Sequence, residues 1–175
     1  MIEVVPSQTG EALEHVIVLC QEYVTWMSAE FRRHYPDANS NQIVSEHDYD
    51  DIRKKFPGEH VPPHGCLLLA VSDKYACGCV ALGRLTNTVC EMRTLFVRPE
   101  FRGMGVAKKL VGAVLTEARA FGYRTMRLDT LRFMDSALGL YRSFGFYEVA
   151  PYRDISDSLK QYICFLELDL ARSEA

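Results

Sequence analysis

The stretch Glu91-Met92-Arg93-Thr94-Leu95-Phe96-Val97-Arg98-Pro99-Glu100-Phe101-Arg102-Gly103-Met104-Gly105-Val106-Ala107-Lys108-Lys109-Leu110 reads as an apolar strand, a turn broken by proline, a small loop with two glycines, and a helix starting at or just before Gly105. Short residues in such a loop let several backbone N–H groups curl around an anion. At a helix N-terminus the unpaired donors and the helix dipole both favour negative charge. The chemistry expected there is phosphate or pyrophosphate binding, although most glycine-containing strand-to-helix turns only make a turn.

Before this stretch, Cys66 to Val71 and Cys77 to Leu85 are apolar, strand-like runs on either side of Ser72-Asp73-Lys74, the pattern of an antiparallel hairpin. Asn87-Thr88 turns the chain into the strand from Thr88 to Val97. After it, a helix runs from Gly105 to about Phe121, with Gly122 as its C-terminal stop. Thr125 to Thr130 reads as a strand, Ser136 to Ser143 as a short helix, and Phe146 to Val149 and Tyr162 to Leu170 as closing strands. At the N-terminus, Ile2 to Val5 suits an opening strand. Ser7 or Thr9 can cap the amphipathic helix marked by Leu13, Val16, Ile17, Cys20, Val24 and Met27. A second helix is expected from about Asn41 to Phe56. The fold class is α/β with a mixed sheet, in one domain spanning residues 1–175.

The 175 residues are 48% hydrophobic and 25% charged, the composition of a globular chain, and the formal net charge is −3. Neither nucleic acid nor an anionic membrane is an expected partner, since no long basic run stands out. No apolar run approaches the roughly 20 residues of a membrane span, and the N-terminus lacks a charged lead into a signal segment. The expected location is cytoplasmic. The six cysteines fall mostly in apolar contexts, as free thiols do in a reducing compartment. Cys77 and Cys79, at i and i+2 on a strand, are expected on one face, but their spacing matches no common structural zinc pattern. No metal is expected.

Arg102-Gly103-Met104-Gly105-Val106-Ala107 fits an Arg/Gln-x-x-Gly-x-Gly/Ala signature, and the chain later runs Ala137-Leu138-Gly139-Leu140-Tyr141-Arg142-Ser143-Phe144-Gly145-Phe146. Together these stretches closely resemble the GNAT superfamily of acetyl-CoA-dependent N-acetyltransferases, from about Cys66 to Val149. The resemblance implies a mostly antiparallel sheet flanked by helices and splayed at its central strand. It implies that the pyrophosphate of acetyl-CoA sits on the amides of Arg102, Gly103, Met104, Gly105, Val106, Ala107 and Lys108. Leu95, Phe96 and Val97 would offer main-chain groups to the pantetheine arm as a pseudo-strand, and a main-chain N–H there could polarise the thioester carbonyl.

Catalytic roles follow from the same resemblance. The attacking amine must lose a proton, and Glu91 stands where several family members carry their base, acting directly or through a water. On an unbroken strand it shares a face with Arg93, Leu95 and Val97, which a local bulge would alter; its bland role is a strand glutamate paired with Arg93. Tyr141 matches the position of the acid that meets the departing thiolate, its bland role being a packed tyrosine bonded to backbone. Met134 replaces an asparagine common in the family seven residues before that tyrosine. A thioether cannot donate the amide's hydrogen bond, and Asp129 and Thr130 are possible stand-ins.

The acceptor is left open. Tyr23, Trp26 and Phe31 are either core or the wall of a substrate pocket. Glu46 to Asp51 would attract a cationic amine; Arg32, Arg33, Arg132 and Arg153 would equally hold an amine carrying a carboxylate. A small-molecule primary amine is the reading preferred, with a protein or peptide amine and a non-catalytic acyl-CoA-binding sensor as alternatives. Relatives are often dimers, and Tyr162 to Leu170 could pair across a two-fold axis.

Overall fold

The computed structural model describes residues 1–38, 53–54 and 56–171. The expected Asn41–Phe56 helix and the acidic cluster Glu46 to Asp51 lie almost wholly outside them. Elements follow in the order β1 (Ile2–Pro6), α1 (Gly10–His34), β2 (Cys66–Ser72), β3 (Tyr75–Arg84), β4 (Val89–Val97), a 3-10 turn (Pro99–Phe101), α2 (Val106–Ala120), β5 (Thr125–Leu131), α3 (Asp135–Ser143), β6 (Tyr147–Val149), α4 (Asp157–Lys160) and β7 (Ile163–Asp169).

The strands form one seven-stranded sheet in the order β1-β2-β3-β4-β5-β7-β6. Only β4 and β5 run parallel, the geometry a crossover through α2 requires; the other neighbours are antiparallel. The hairpin between β2 and β3 turns on Asp73 and Lys74, both at positive φ, as a tight two-residue loop with the strands' twist demands. α2 buries Val106, Leu110, Val111, Val114 and Ala118 against one face of the sheet. α1 covers the opposite face with Val16, Ile17, Leu19, Cys20 and Val24, the apolar stripe its period indicates. Towards its C-terminal end, Met27 and Phe31 pack with Leu131, Ile163 and Phe165 in a third cluster. Arg98, at the exit of β4, clamps α1 through two bonds to Glu22, at 2.8 and 2.7 Å.

Two irregularities reset which side chains face where. In β3, Ala70 pairs with Gly78 and Val71 with Ala76, so Cys77 is an extra residue. This bulge sends Cys77 to the α2 face and Cys79 to the α1 face, contrary to the shared face that simple alternation gives. In β4, Phe96 pairs with Cys79 and Arg93 with Ala81, leaving Thr94 and Leu95 opposite the single residue Val80. Thr94 takes φ +50°, a costly value for a β-branched residue, at this bulge. Parity flips across it: Cys90, Met92, Leu95 and Val97 pack on the α2 side, Phe96 on the α1 side. Glu91 therefore shares its face with Arg93 and Phe96, not with Leu95 and Val97.

β7 is held by β5 along its full length and by β6 from Phe165 to Glu167. Both edges of β7 are thus taken up within the chain, which leaves none for the two-fold pairing that Tyr162 to Leu170 could have made, and the sheet's outer strands are β1 and the short β6.

Gly78 is where β3 passes closest to the distorted strand, and a Cβ there would lie 2.4 Å from the Phe96 carbonyl oxygen. Gly78→Ala is expected to lower stability by about 1–3 kcal/mol, since backbone must move to admit the methyl group. Urea unfolding would show it as a lower midpoint at unchanged slope; an unaltered midpoint would mean that the bulge is not locked by this contact.

Candidate active site

β4 and β5 pair only from Val89 to Glu91 against Thr125 to Arg127. Beyond that point they part, and the opening continues into a cleft of about 1250 Å³ that reaches the loop before α2. The cleft has a loop end, a strand wall and a charged end, each built by different segments.

At the loop end, the turn Pro99–Phe101 lifts the chain off β4, and Gly103 and Gly105 follow at φ +78° and +79°, values that suit glycine. The first helical bond returns from the Lys109 amide to the Gly105 carbonyl at 3.1 Å. The amides of Val106, Ala107 and Lys108 precede it and have no partner within the helix. Arg102, Gly103, Gly105, Val106, Ala107 and Lys108 all line the cleft. Met104, 56% exposed, is the member of the expected run that does not. Arg102 donates through Nε to the Val97 carbonyl at 3.1 Å and stacks 4.5 Å over the Trp26 ring, tying the loop to α1.

Along the strand wall, Leu95, Phe96 and Val97 all line the cleft. Phe96 sends its ring against Tyr23 and Trp26, with centroids 5.8 and 6.2 Å apart. Tyr23 and Trp26 reach the cleft as one of the two readings of these aromatics has it, whereas Phe31 is core. The side chains of Phe96 and Val97 are spent on the two cores, and β5 no longer pairs with this half of β4, so its main-chain groups border the opening.

Tyr141, on α3, is 6% exposed and packs edge-on to Phe146 at 5.8 Å. Its hydroxyl has no hydrogen-bond partner among the described residues, so the backbone-bonded role does not apply, and its ring borders the cleft. Burial, with Tyr23 and Asp129 nearby, raises its pKa well above the ordinary phenol value. Burial likewise pushes the Tyr23 phenol up to about 12. Both stay protonated donors at neutral pH. Met134 caps the start of α3 and accepts from the Thr130 hydroxyl at 3.3 Å, so Thr130 is already engaged there.

The charged end centres on Glu91, 6% exposed on the floor of the cleft. One carboxylate oxygen accepts from the Tyr152 hydroxyl at 2.7 Å, and the other accepts from Arg93, which also donates to Glu59. On the facing strand, Asp129 accepts from Arg153 at 2.9 Å. Burial raises its pKa above the ordinary carboxylate value and Glu91 adds to the rise, while Arg153 opposes it. Arg127 bonds Glu167 at 2.7 Å and lies 5.0 Å over the Tyr152 ring.

Of the arginines weighed from the sequence, Arg33 and Arg153 border the cleft; Arg132 pairs with Glu148 at 3.0 Å away from it, and Arg32 bonds the Ser28 carbonyl within α1. Tyr152 has no sequence signal of its own. It lies in the irregular segment after β6, past the end of the recognisable motifs, and reaches Glu91 only through the fold. Among the described residues, no group of three or more His, Cys, Asp or Glu is placed to hold a metal ion. No helix there is long and apolar enough to cross a membrane.

The sequence matches the model of the acetyltransferase (GNAT) family over residues 20–146. The chain belongs to this family. A Schizosaccharomyces pombe protein described as an uncharacterized N-acetyltransferase is 42% identical over 93 residues, 52% of this chain and 57% of that protein. The chain spans about half, or less, of the length of the curated relatives it matches. The crystal structure of a GNAT-family acetyltransferase from Staphylococcus aureus superposes with a TM-score of 0.70 at 18% identity, covering 97% of this chain and 99% of that one. The PaiA N-acetyltransferase from Thermoplasma acidophilum, solved in complex with coenzyme A, gives 0.62 at 18%, covering 97% and 99%. These structures share the fold of this chain.

His60 lies beside the Glu59–Arg93 pair, 7% exposed, with Nδ1 3.0 Å from the Leu82 carbonyl. Burial lowers its pKa below the ordinary 6.5. The unfolded chain therefore takes up the proton at higher pH than the folded one, so this contribution to stability is present above about 6.5 and is lost as pH falls through that value. Urea unfolding at pH 7.5 and 5.5 is expected to show a loss that is smaller in His60→Gln. Equal losses in both proteins would place the dependence elsewhere.

Proposed function

We propose that this chain is an N-acetyltransferase that moves the acetyl group of acetyl-CoA directly to a primary amine of a small molecule. The observation that carries the reading is the Tyr141 hydroxyl, without a hydrogen-bond partner among the described residues, on the wall of a cleft whose floor holds the buried carboxylate Glu91. A protonated donor and a proton acceptor on either side of one opening are the pair that amine acylation requires.

The residues present fit the cosubstrate. The amides of Val106, Ala107 and Lys108, with the left-handed Gly103 and Gly105, offer donors to the pyrophosphate at the start of α2. The Lys108 and Arg102 side chains, also on the cleft, add positive charge. The unpaired edge of β4 at Leu95 to Val97 would take the amide-bearing arm, as a sheet edge takes a peptide. When bound, the cosubstrate supplies an acyl group activated as a thioester. Glu91 accepts the amine's proton, directly or through a water, while Tyr152 and Arg93 fix its carboxylate. Tyr141 gives a proton to the sulfur, a task suited to a phenol that burial keeps neutral. The walls at the charged end include α1, the loop after β5 and the segment after β6, and the paired charges between them suit a small amine. The buried free cysteines fit a cytoplasmic setting.

The test is thiol release from acetyl-CoA across small amines, amino acids, polyamines and short peptides. Tyr141→Phe is expected to lower kcat about 100-fold or more at unchanged acetyl-CoA affinity, and Glu91→Gln to lower it about 100- to 10,000-fold. Full activity in Glu91→Gln would move the base to another group. Binding of acetyl-CoA without turnover of any acceptor would make the chain an acyl-CoA sensor.

A further inference from the structure

The charges at the acceptor end of the cleft are already paired with one another, and Asp129–Arg153 is a pair there whose two members both border the cleft and are both open to an incoming molecule. Its side chains are 26% and 41% exposed. Asp129 stands on β5 beside the opening in the sheet. Arg153 comes from the outer segment between β6 and α4, gives one N–H to Asp129, and makes no other hydrogen bond among the described residues. Arg93, by contrast, is shared between two carboxylates.

The pair constrains what can bind there. A simple cationic amine that took Asp129 would strand Arg153. A simple anion that took Arg153 would strand Asp129, where burial already disfavours the charge. A half-buried charge left without a partner is costly. A molecule that carries ammonium and carboxylate on neighbouring atoms inserts into the pair, exchanges one ion pair for two and strands nothing.

We propose that the acceptor is a zwitterionic amine, an α-amino acid or a molecule with that headgroup, whose ammonium meets Asp129 and whose carboxylate meets the open fork of Arg153. This rests on the acetyl-transfer reading and names its substrate class. The placement directs the amine inward, because Asp129 belongs to the sheet beside Glu91 and Arg153 to the outer loop. It also favours release. In the transfer a nitrogen–acyl bond forms and the sulfur–acyl bond breaks. Of the two protons the ammonium loses, one goes to solvent and the other is balanced by the proton placed on sulfur through Tyr141. The product keeps its carboxylate but has no ammonium, so Asp129 loses its partner and Arg153 returns to it.

The experiment measures kcat/KM for acetyl transfer to matched acceptors: phenylalanine, its amide and phenethylamine, and likewise lysine, its amide and cadaverine. The carboxylate-bearing member is expected to exceed its partners about tenfold or more. In Arg153→Gln that ratio is expected to collapse by about ten- to hundredfold through KM, the range for a charged hydrogen bond, with Arg153→Lys retaining part of it. A merely structural role for Arg153 would weaken all acceptors alike and leave the ratio intact. Decarboxylated or amidated amines turned over as well as the amino acids, or a ratio unmoved in Arg153→Gln, would overturn the inference while sparing the acetyltransferase. Failure of every acceptor with acetyl-CoA bound would bring down both.

Discussion

The structure depends on where β4 and β5 stop pairing. Three residue pairs hold them together, ending at Glu91 and Arg127; three residues further along, the bulge at Thr94 and Leu95 turns β4 away. A bulge bends its strand and increases the local twist, and here it does so on the strand that already bridges the two halves of the sheet. Each strand keeps its other neighbour: β3 follows β4 as far as Val97, and β7 follows β5 as far as Leu131. The only sides released are those that face each other across the opening. Backbone donors and acceptors deprived of a ladder need partners, so the same distortion that opens the cleft makes a ligand's polar groups the natural occupants of its wall. Gly78 lets β3 follow the bent strand without a clash, and Arg98, locked onto Glu22, fixes the strand's exit against α1.

Burying Glu91 at the root of this opening has a cost that the surrounding chain offsets. An isolated carboxylate would be strongly penalised there, and each of its oxygens meets a donor, Arg93 from the same strand and Tyr152 from a segment 61 residues away. Arg93 is anchored in turn by Glu59, and Tyr152 is flanked by Arg127 on one face and Phe165 at its edge, with centroids 5.1 Å apart. The chain thus draws its N-terminal loop, the central strand and its C-terminal third together around one carboxyl group. Such a network does little for net stability; what it does is fix position, since no member can turn without leaving another unpaired.

The parts of this arrangement legible in the sequence are those whose causes are local. Pro99, the two glycines and the apolar run of α2 dictate strand, turn and helix within a short window, and the hairpin through Asp73 and Lys74 does the same. Tyr141 is recognisable from its neighbours Leu140, Gly145 and Phe146. Side-chain direction was harder, because a single inserted residue inverts every later position of a strand: Cys77 and Cys79 end on opposite faces, and Glu91 is paired in orientation with Phe96. The acceptor end was the least legible. Tyr152 and Arg153 act through contacts across the fold, and nothing in Pro151-Tyr152-Arg153 as a string announces them. Asp129 suggests itself from sequence only as a substitute for the asparagine that Met134 replaces, yet its place on β5 two residues past Arg127, the partner of Glu91, makes it part of the charged end.

In the proposed reaction the donor Tyr141 and the acceptor Glu91 stand at different parts of the opening in the sheet. Tyr141 packs with the core on the α2 side, with Tyr23 and Asp129 near its hydroxyl, while Glu91 and Arg93 share the face of Phe96. A tyrosine bonded directly to Glu91 would be held by the carboxylate and could not serve a distant sulfur; Tyr152 already occupies that position, so the hydroxyl of Tyr141 stays uncommitted. Burial keeps that phenol neutral, and the paired arginines keep the charged end hospitable to carboxylates. With a cosubstrate along the edge of β4, the proposed reaction would take place in the opening that the three-pair limit on β4 and β5 leaves beside Tyr141, Asp129 and Glu91.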